Sequence, residues 1–325
     1  MQKKTTDSSI AQICEQLNKS NKIAVFCHTR PDGDALGSGM ALTTALNNAG
    51  QFAGMFCDDT VSEKYLFLQK LTEVQSKFPE NAEFDTFICV DCADVNRTGS
   101  FSGTFVSFKG KTINIDHHIS NKKFADYNCV VECPATCQLL TEIFLRAGFQ
   151  IDKEIADLFM LGLISDSGNF THSDVNDKTF ETAALLRKCG ADVNQINYQV
   201  FSRQSKSRAL LFGKVISNIR FALEDKLAYI IIPLDYFGSS GVDSGITEGF
   251  VDFPLTIDGV EVAVSLLEVR KNQYKISLRS KGAVNVNAVA ATFGGGGHIL
   301  ASGCMLNGEL EEVIEKLTFS VYQNL

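Results

Sequence analysis

Val25-Phe26-Cys27-His28-Thr29-Arg30-Pro31-Asp32-Gly33-Asp34-Ala35-Leu36-Gly37-Ser38-Gly39 carries an apolar run, Ile23 to Cys27, into a histidine, a Pro-Asp-Gly-Asp turn and a small-residue approach to a helix. Strand, polar loop and helix follow one another within about 25 residues, the opening unit of an α/β fold. His28, Asp32 and Asp34 are candidate metal ligands at the carboxyl end of that strand, where open α/β sheets keep their ligands.

The same alternation continues outward. Strands are expected at Lys22 to Cys27, Ala53 to Cys57, Thr86 to Val90, Thr112 to Ile115 and Tyr127 to Val131. Helices are expected from Asp34 to Asn47, from Glu63 to Leu71, from Pro134-Ala135-Thr136 to Ala147, and over 153 to 164 with Asp166 just beyond. Ile10, Ile13, Cys14 and Leu17 mark a further helical face near the N-terminus. The fold class is therefore α/β, with a doubly wound, mostly parallel sheet. After Thr179 a helix (Lys178 to Lys188) and a polar, helical stretch (Asp192 to Arg208) precede a new rhythm. The domains are expected at 1–188, a helical linker at 189–213, and a smaller α/β domain at 214–325. In the latter, strands are expected at Val215 to Leu223, Leu227 to Pro233, Val260 to Val269 and Gln273 to Leu278. Helices are expected at Asp243 to Asp252, Val286 to Thr292 and after Glu309.

A length of 325 residues suits two domains, and a net charge of −8 argues against a surface that grips long duplex nucleic acid. The N-terminal residues lack an apolar signal core, and the longest apolar runs, Leu158 to Ile164 and Leu227 to Leu234, are too short for a bilayer. A cytoplasmic protein without membrane contact is expected. Ten cysteines then read as reduced thiols used as small hydrophobes. Cys89 and Cys92 have knuckle-like spacing, but an odd offset of three puts them on opposite faces if the strand continues.

Polar residues at the expected strand and helix ends are His28, Asp32, Asp34, Asp91, Asp116, His117, His118 and Asp166. Turn chemistry explains one such loop but not four, each closing an apolar element. Asp32, Asp34, Asp91 and Asp166 would repel one another at one sheet edge unless cations neutralise them. Two divalent ions balance four carboxylates, and mixed carboxylate and imidazole ligation suits Mn(II), with Zn, Fe or Co as alternatives. Two ions about 3.5 to 4 Å apart are the usual apparatus for phosphate-ester hydrolysis.

His28-x3-Asp32-x-Asp34, Val90-Asp91, Asp116-His117-His118 and Ile164-Ser165-Asp166-Ser167-Gly168 resemble, in order, the four motifs of the DHH phosphoesterase family. Gly294 to His298 with Ala301-Ser302-Gly303 resembles the glycine-rich signature of its companion DHHA1 domain. The Arg-Pro-Asp-Gly-Asp-Ala wording is most similar to the bifunctional oligoribonuclease and pAp phosphatase branch. The resemblance implies His28 and Asp32 on one metal, Asp34, His117 and Asp166 on the other, and Asp91 shared, with a bridging water as nucleophile. It implies Asp116 orienting a ligand histidine and His118 contacting substrate phosphate. It also implies a substrate grip by Arg279, Gly295, Gly296, Gly297 and His298, with two Mn(II) ions as cofactor. The substrates would be short oligoribonucleotides and pAp-type nucleotides, and the family suggests a homodimer. Cleavage of cyclic di-AMP or linear pApA is the alternative, and non-catalytic nucleotide sensing a further one.

Three further polar residues lie near these motifs. Arg97 either braces a carboxylate or meets phosphate. Asp94 reads as a helix start, and His172 as a local loop residue.

Overall fold

The computed structural model describes residues 6–68, 72–79, 83–240 and 244–325. They form two compact units, Met1–Arg203 and Gln204–Leu325.

The sheet of the first unit comprises β1 (Thr6–Asp7), β2 (Lys22–Phe26), β3 (Phe52–Phe56), β4 (Val74–Gln75), β5 (Thr86–Val90), β6 (Lys111–Asp116) and β7 (Tyr127–Val130). Their order is β1-β7-β6-β5-β2-β3-β4, and every pair is parallel. The chain winds one way from β2 to β4 and the other way from β5 to β7. The switch point thus lies between β2 and β5, where such sheets open a crevice at their carboxyl ends. His28 follows β2 and Asp91 follows β5, so topology alone places both at that crevice.

Alternation sorts the strand residues onto two faces. Ile23, Val25, Met55, Ile88 and Val90 face one core; Ala24, Phe26, Phe56, Phe87 and Cys89 face another, with Phe101 and Phe105. This second cluster absorbs much of the chain's phenylalanine, including a Phe87–Phe108 stack at 3.7 Å. Cys92 joins Cys89 there. The strand does not continue: it ends at Val90 and Asp91 turns the backbone at φ 51°, so the offset of three does not separate the two thiols.

The helices of this unit are α1 (Ile10–Asn18), α2 (Gly33–Asn48), α3 (Ser102–Ser107), α4 (Thr136–Ala147), α5 (Lys153–Asp166), α6 (Asp177–Lys188) and α7 (Val193–Asn197). Residues Glu63–Leu68 form a 3-10 helix, and Leu71 lies outside the described residues. Helices α2 and α5 cross closely because glycines line the contact. A Cβ at Gly37 would lie 2.4 Å from the Leu158 carbonyl oxygen, and one at Gly162 would lie 2.2 Å from Cys137 Sγ and 2.5 Å from Asp34 Oδ1. Packing there sets the spacing of the acids that α2 and α5 carry.

The second unit begins with α8 (Lys206–Ile216) and holds β8 (Arg220–Ala222), β9 (Leu227–Ile232), β10 (Val262–Arg270), β11 (Gln273–Ser280), β12 (Gly296–Gly297) and β13 (Ala301–Asn307). Their order is β12-β13-β11-β10-β9-β8, with only β9 and β10 parallel among the described pairs. Helices α9 (Val286–Ala291) and α10 (Leu310–Tyr322) bury Val289, Val313, Leu317 and Val321 with Tyr229, Val264 and Ile276.

Two expected elements differ. Val215 and Ile216 end a helix rather than begin a strand: Ser205 caps it by accepting from the Arg208 N–H, and Leu211 and Val215, four apart, bury one face. Instead of a helix from 243 to 252 there are two 3-10 segments, Ser244–Thr247 and Phe250–Thr256, separated by Gly249 at φ 78°; Asp243 lies outside the described residues. No described helix is long and apolar enough to cross a membrane.

Candidate metal centre

His28 emerges from β2 almost fully buried. Its Nδ1 lies 2.8 Å from the Thr29 carbonyl oxygen, which can only accept, so Nδ1 carries hydrogen and Nε2 faces the acids. Nε2 is 3.4 Å from Asp91 Oδ2 and 3.6 Å from Asp32 Oδ2. Asp32 is the N-cap of α2: its Oδ1 accepts from the Asp34 and Ala35 amides at 3.1 and 3.0 Å, leaving Oδ2 for the cluster.

Asp34, the second residue of α2, is fully buried. Its carboxylate accepts from the amides of Thr136 at 2.6 Å and Cys137 at 2.9 Å, the first turn of α4. A helix N-terminus offers unpaired N–H groups and a positive dipole end, which is what a buried carboxylate needs. The Thr136 hydroxyl also donates to Asp91 Oδ1 at 3.1 Å, so one residue ties two acids together. His117 repeats the His28 arrangement, with Nδ1 2.8 Å from the Cys133 carbonyl oxygen and Nε2 3.5 Å from Asp91 Oδ1 and 3.4 Å from Asp166 Oδ2. Asp166 is the last residue of α5.

These donors fall into groups whose atoms lie within 4.8 Å of one another: His28, Asp32 and Asp91; Asp34, Asp91, His117 and Asp166; and Asp91, Asp116, His117 and His118. Asp91 belongs to all three. The His117 Nε2 is buried and has no hydrogen-bond partner among the described residues. With Nδ1 bound to a carbonyl, the ring directs Nε2 at carboxylate oxygens that are themselves acceptors. Such an array is satisfied by a cation, and the donor set fits a divalent metal.

Electrostatics give the same answer. Burial and repulsion from Asp34, Asp32 and Asp91 push the Asp166 carboxyl up to about 10. Burial and Asp91 push Asp34 up to about 7. Burial disfavours the His28 imidazolium, but hydrogen bonds to Asp32 and Asp91 outweigh it and raise its pKa to about 11. Asp32 is held down at about 2, because His28 and the α2 amides overcome its burial. Without an ion, protons balance this charge.

Asp116 binds His118 rather than His117, whose ring is held by the Cys133 carbonyl oxygen. Its Oδ1 lies 2.8 Å from His118 Nδ1, and Asn121 Nδ2 donates to its Oδ2 at 2.5 Å. Asp94 caps the 3-10 segment Val95–Phe101 by accepting from the Asn96 N–H, and it pairs with Lys122. The carbonyl of Arg97 in that segment accepts from the Thr29 amide at 2.7 Å, which fixes the segment beside the His28 loop. His172 Nδ1 binds the Asp166 carbonyl oxygen at 2.7 Å, within its own loop.

In the second unit, Arg279 on β11 forms an ion pair with Asp252, Nε to Oδ1 at 3.0 Å, and donates from a terminal nitrogen to the Leu278 carbonyl oxygen at 3.0 Å. The glycine run packs against β13: a Cβ at Gly295 would lie 2.2 Å from the Gly303 carbonyl oxygen, and one at Gly297 2.5 Å from that of Ala301. Gly296 pairs with Gly303. His298 is exposed, in a turn closed by its amide to the Ala301 carbonyl oxygen at 2.7 Å.

Sequence reasoning missed Thr136 and Cys137 as carboxylate donors, Gly162 as the space for Asp34, and Asn121 as a partner of Asp116. The Pro134-Ala135-Thr136 helix start was a signal for the first pair, since a helix N-terminus attracts an acid.

Residues 22–163 match the DHH family, N-terminal domain, and residues 224–322 match the DHHA1 domain. The chain is 29% identical over 308 residues to the Thermus thermophilus protein named bifunctional oligoribonuclease and PAP phosphatase NrnA, covering 93% of this chain and 90% of that one. It is 25% identical to the Bacillus subtilis protein of the same name, covering 91% and 92%. A crystal structure of an exopolyphosphatase-related protein from Bacteroides fragilis superposes with a TM-score of 0.86 at 28% identity, covering 97% of this chain and 95% of that one.

Proposed function

We propose, from the premise that this chain belongs to the DHH family with a DHHA1 second domain and is a hydrolase of phosphoester bonds, that it is a Mn(II)-dependent enzyme acting on very short nucleotides. It hydrolyses short oligoribonucleotides to nucleoside monophosphates and removes the 3′-phosphate of pAp. The carrying observation is the orphaned His117 Nε2, set among carboxylates that share Asp91 with a second donor group. His28, Asp32 and Asp91 would hold one ion; Asp34, Asp91, His117 and Asp166 would hold the other. Bound there, two divalent ions supply a water of lowered pKa and a Lewis acid for the phosphoryl oxygens.

The chain's own groups do the rest. The first turn of α4 and the Thr136 hydroxyl fix Asp34 and Asp91. His118, held by Asp116, meets the phosphate. Arg97, Arg279, Gly295, Gly296, Gly297 and His298 bind the nucleotide, Arg279 as a bidentate partner for phosphate once it leaves Asp252. The names of the relatives from T. thermophilus and B. subtilis support the substrate class. The net charge of −8 supports short substrates over long duplexes.

The test is product analysis of the purified chain with Mn(II) and ribonucleotides of two to five residues, alongside pAp, pApA and cyclic di-AMP. Mononucleotides from the short chains and AMP from pAp are expected. No product from any of these sinks the proposal, and turnover of pApA or cyclic di-AMP alone moves it to the adenylate alternative.

A further inference from the structure

Behind the histidine that meets substrate lies a polar network that the metal ligands do not explain. Asp116, at the end of β6, is fully buried, and its two oxygens have separate tasks. Oδ1 holds His118 Nδ1 at 2.8 Å, and Oδ2 accepts from Asn121 Nδ2 at 2.5 Å. The same amide nitrogen reaches Asn114 Oδ1 at 2.7 Å and the Cys92 carbonyl oxygen at 3.2 Å, so its two hydrogens serve three acceptors. Asn114, also fully buried, donates in turn to the carbonyls of Cys89 and Cys92 at 3.2 and 3.3 Å, on either side of Asp91. Asn121 is locked at its other end, where Oδ1 accepts from the Lys123 amide at 2.6 Å.

We propose that Asn121 is a positioning residue for hydrolysis: it fixes the rotation of the Asp116 carboxylate, which fixes the His118 ring and leaves Nε2 for the substrate's leaving oxygen. This rests on the phosphoester hydrolysis proposed above. In the step, the water oxygen bonds phosphorus and gives a proton to solvent. The bond from phosphorus to the leaving oxygen breaks, and that oxygen takes its electron pair and the proton on His118 Nε2. Solvent then reprotonates His118. An alkoxide leaving group needs this proton; a nitrophenolate does not. With Asn121 removed, Asp116 keeps only one of its two partners and the carboxylate turns freely. With aspartate there, an acceptor faces three acceptors.

The experiment compares Asn121→Ala, Asn121→Asp, His118→Ala and the Asn121→Ala/His118→Ala double variant on a diribonucleotide and on a p-nitrophenyl ester of a nucleoside 5′-monophosphate. Either Asn121 variant should lower kcat on the diribonucleotide by about 10- to 100-fold, the usual effect of losing a group behind a reacting side chain. KM and Mn(II) affinity should hold, the loss should shrink on the nitrophenyl ester, and Asn121→Ala should cost nothing further once His118 is gone. Equal losses on both esters, a full extra loss in the double variant, or a parallel fall in Mn(II) affinity would overturn the proposal.

A second readout needs no turnover. With five histidines in the chain, a protected downfield imidazole N–H signal for His118 Nδ1 is assignable by nuclear magnetic resonance. It should broaden or vanish in Asn121→Ala. If the parent protein cleaves neither ester, the proposed function has failed; an unchanged imidazole signal in the variant overturns the positioning role alone.

Discussion

Metal-free protein at neutral pH should hold protons where ions belong, and adding Mn(II) should expel them. Asp166, pushed up to about 10, and His28, raised to about 11, each carry a proton at pH 7. Asp34, at about 7, carries one half of the time, and Asp32, at about 2, carries none. Because these groups interact, the total is a property of the cluster. Filling both sites at pH 7 should therefore release about two to three protons, since every ligand must be deprotonated to bind. Mn(II) titration by calorimetry in buffers of low and high ionisation enthalpy reads this number as the slope of observed heat against buffer enthalpy. Binding should tighten as pH rises from 6 to 8. A heat independent of buffer would refute the reasoning, for it would mean that the acids stand ionised side by side without a cation.

Four further outcomes follow from the same geometry. The folded pKa values of Asp166 and Asp34, about 10 and about 7, lie above the ordinary 3.8, and that of His28, about 11, lies above 6.5. The folded state therefore binds the extra protons, and the Tm of metal-free protein should fall as pH rises from 5 to 9; a flat or rising Tm contradicts it. Gly162→Ala should cost about 1–3 kcal/mol in chemical denaturation and weaken Mn(II) binding, because its Cβ would displace Cys137 or Asp34; wild-type affinity in this variant would show that the α2–α5 crossing does not set the acids. Asp91→Ala should abolish turnover with the far-ultraviolet circular dichroism unchanged, and residual activity within tenfold of the parent rules out a shared ligand. Asp252→Asn should lower KM for pAp by releasing Arg279, whereas Arg279→Gln should raise it; opposite signs would place Arg279 outside the substrate site.

The clustered His and Asp positions were legible because each closes an apolar element within a few consecutive residues, and strand order then brings those ends together at the β2–β5 switch point. Thr136 and Cys137 were not legible as donors, because they meet Asp34 across 102 and 103 residues, a distance that no local pattern encodes. Gly162 was hidden for a related reason: in the sequence it is only a weak point in an apolar helix, and its use appears once α2, α4 and α5 meet. Val215 was misplaced because Leu211 to Val215 satisfies a helical period while Val215 to Leu223 reads equally as a β run, and the Ser205 cap decided for the helix. The glycine run carries a different lesson. The family resemblance implied a substrate grip there, yet Gly295 and Gly297 are already required by the close approach of β13. Backbone crowding therefore explains those two positions without any ligand. The case for substrate contact rests more on Gly296, whose Cβ would come no nearer than 3.7 Å to Asn287 Oδ1, and on the exposed His298. Bulk added at Gly296 thus separates a binding role from a folding one more cleanly than any change at Gly295 or Gly297.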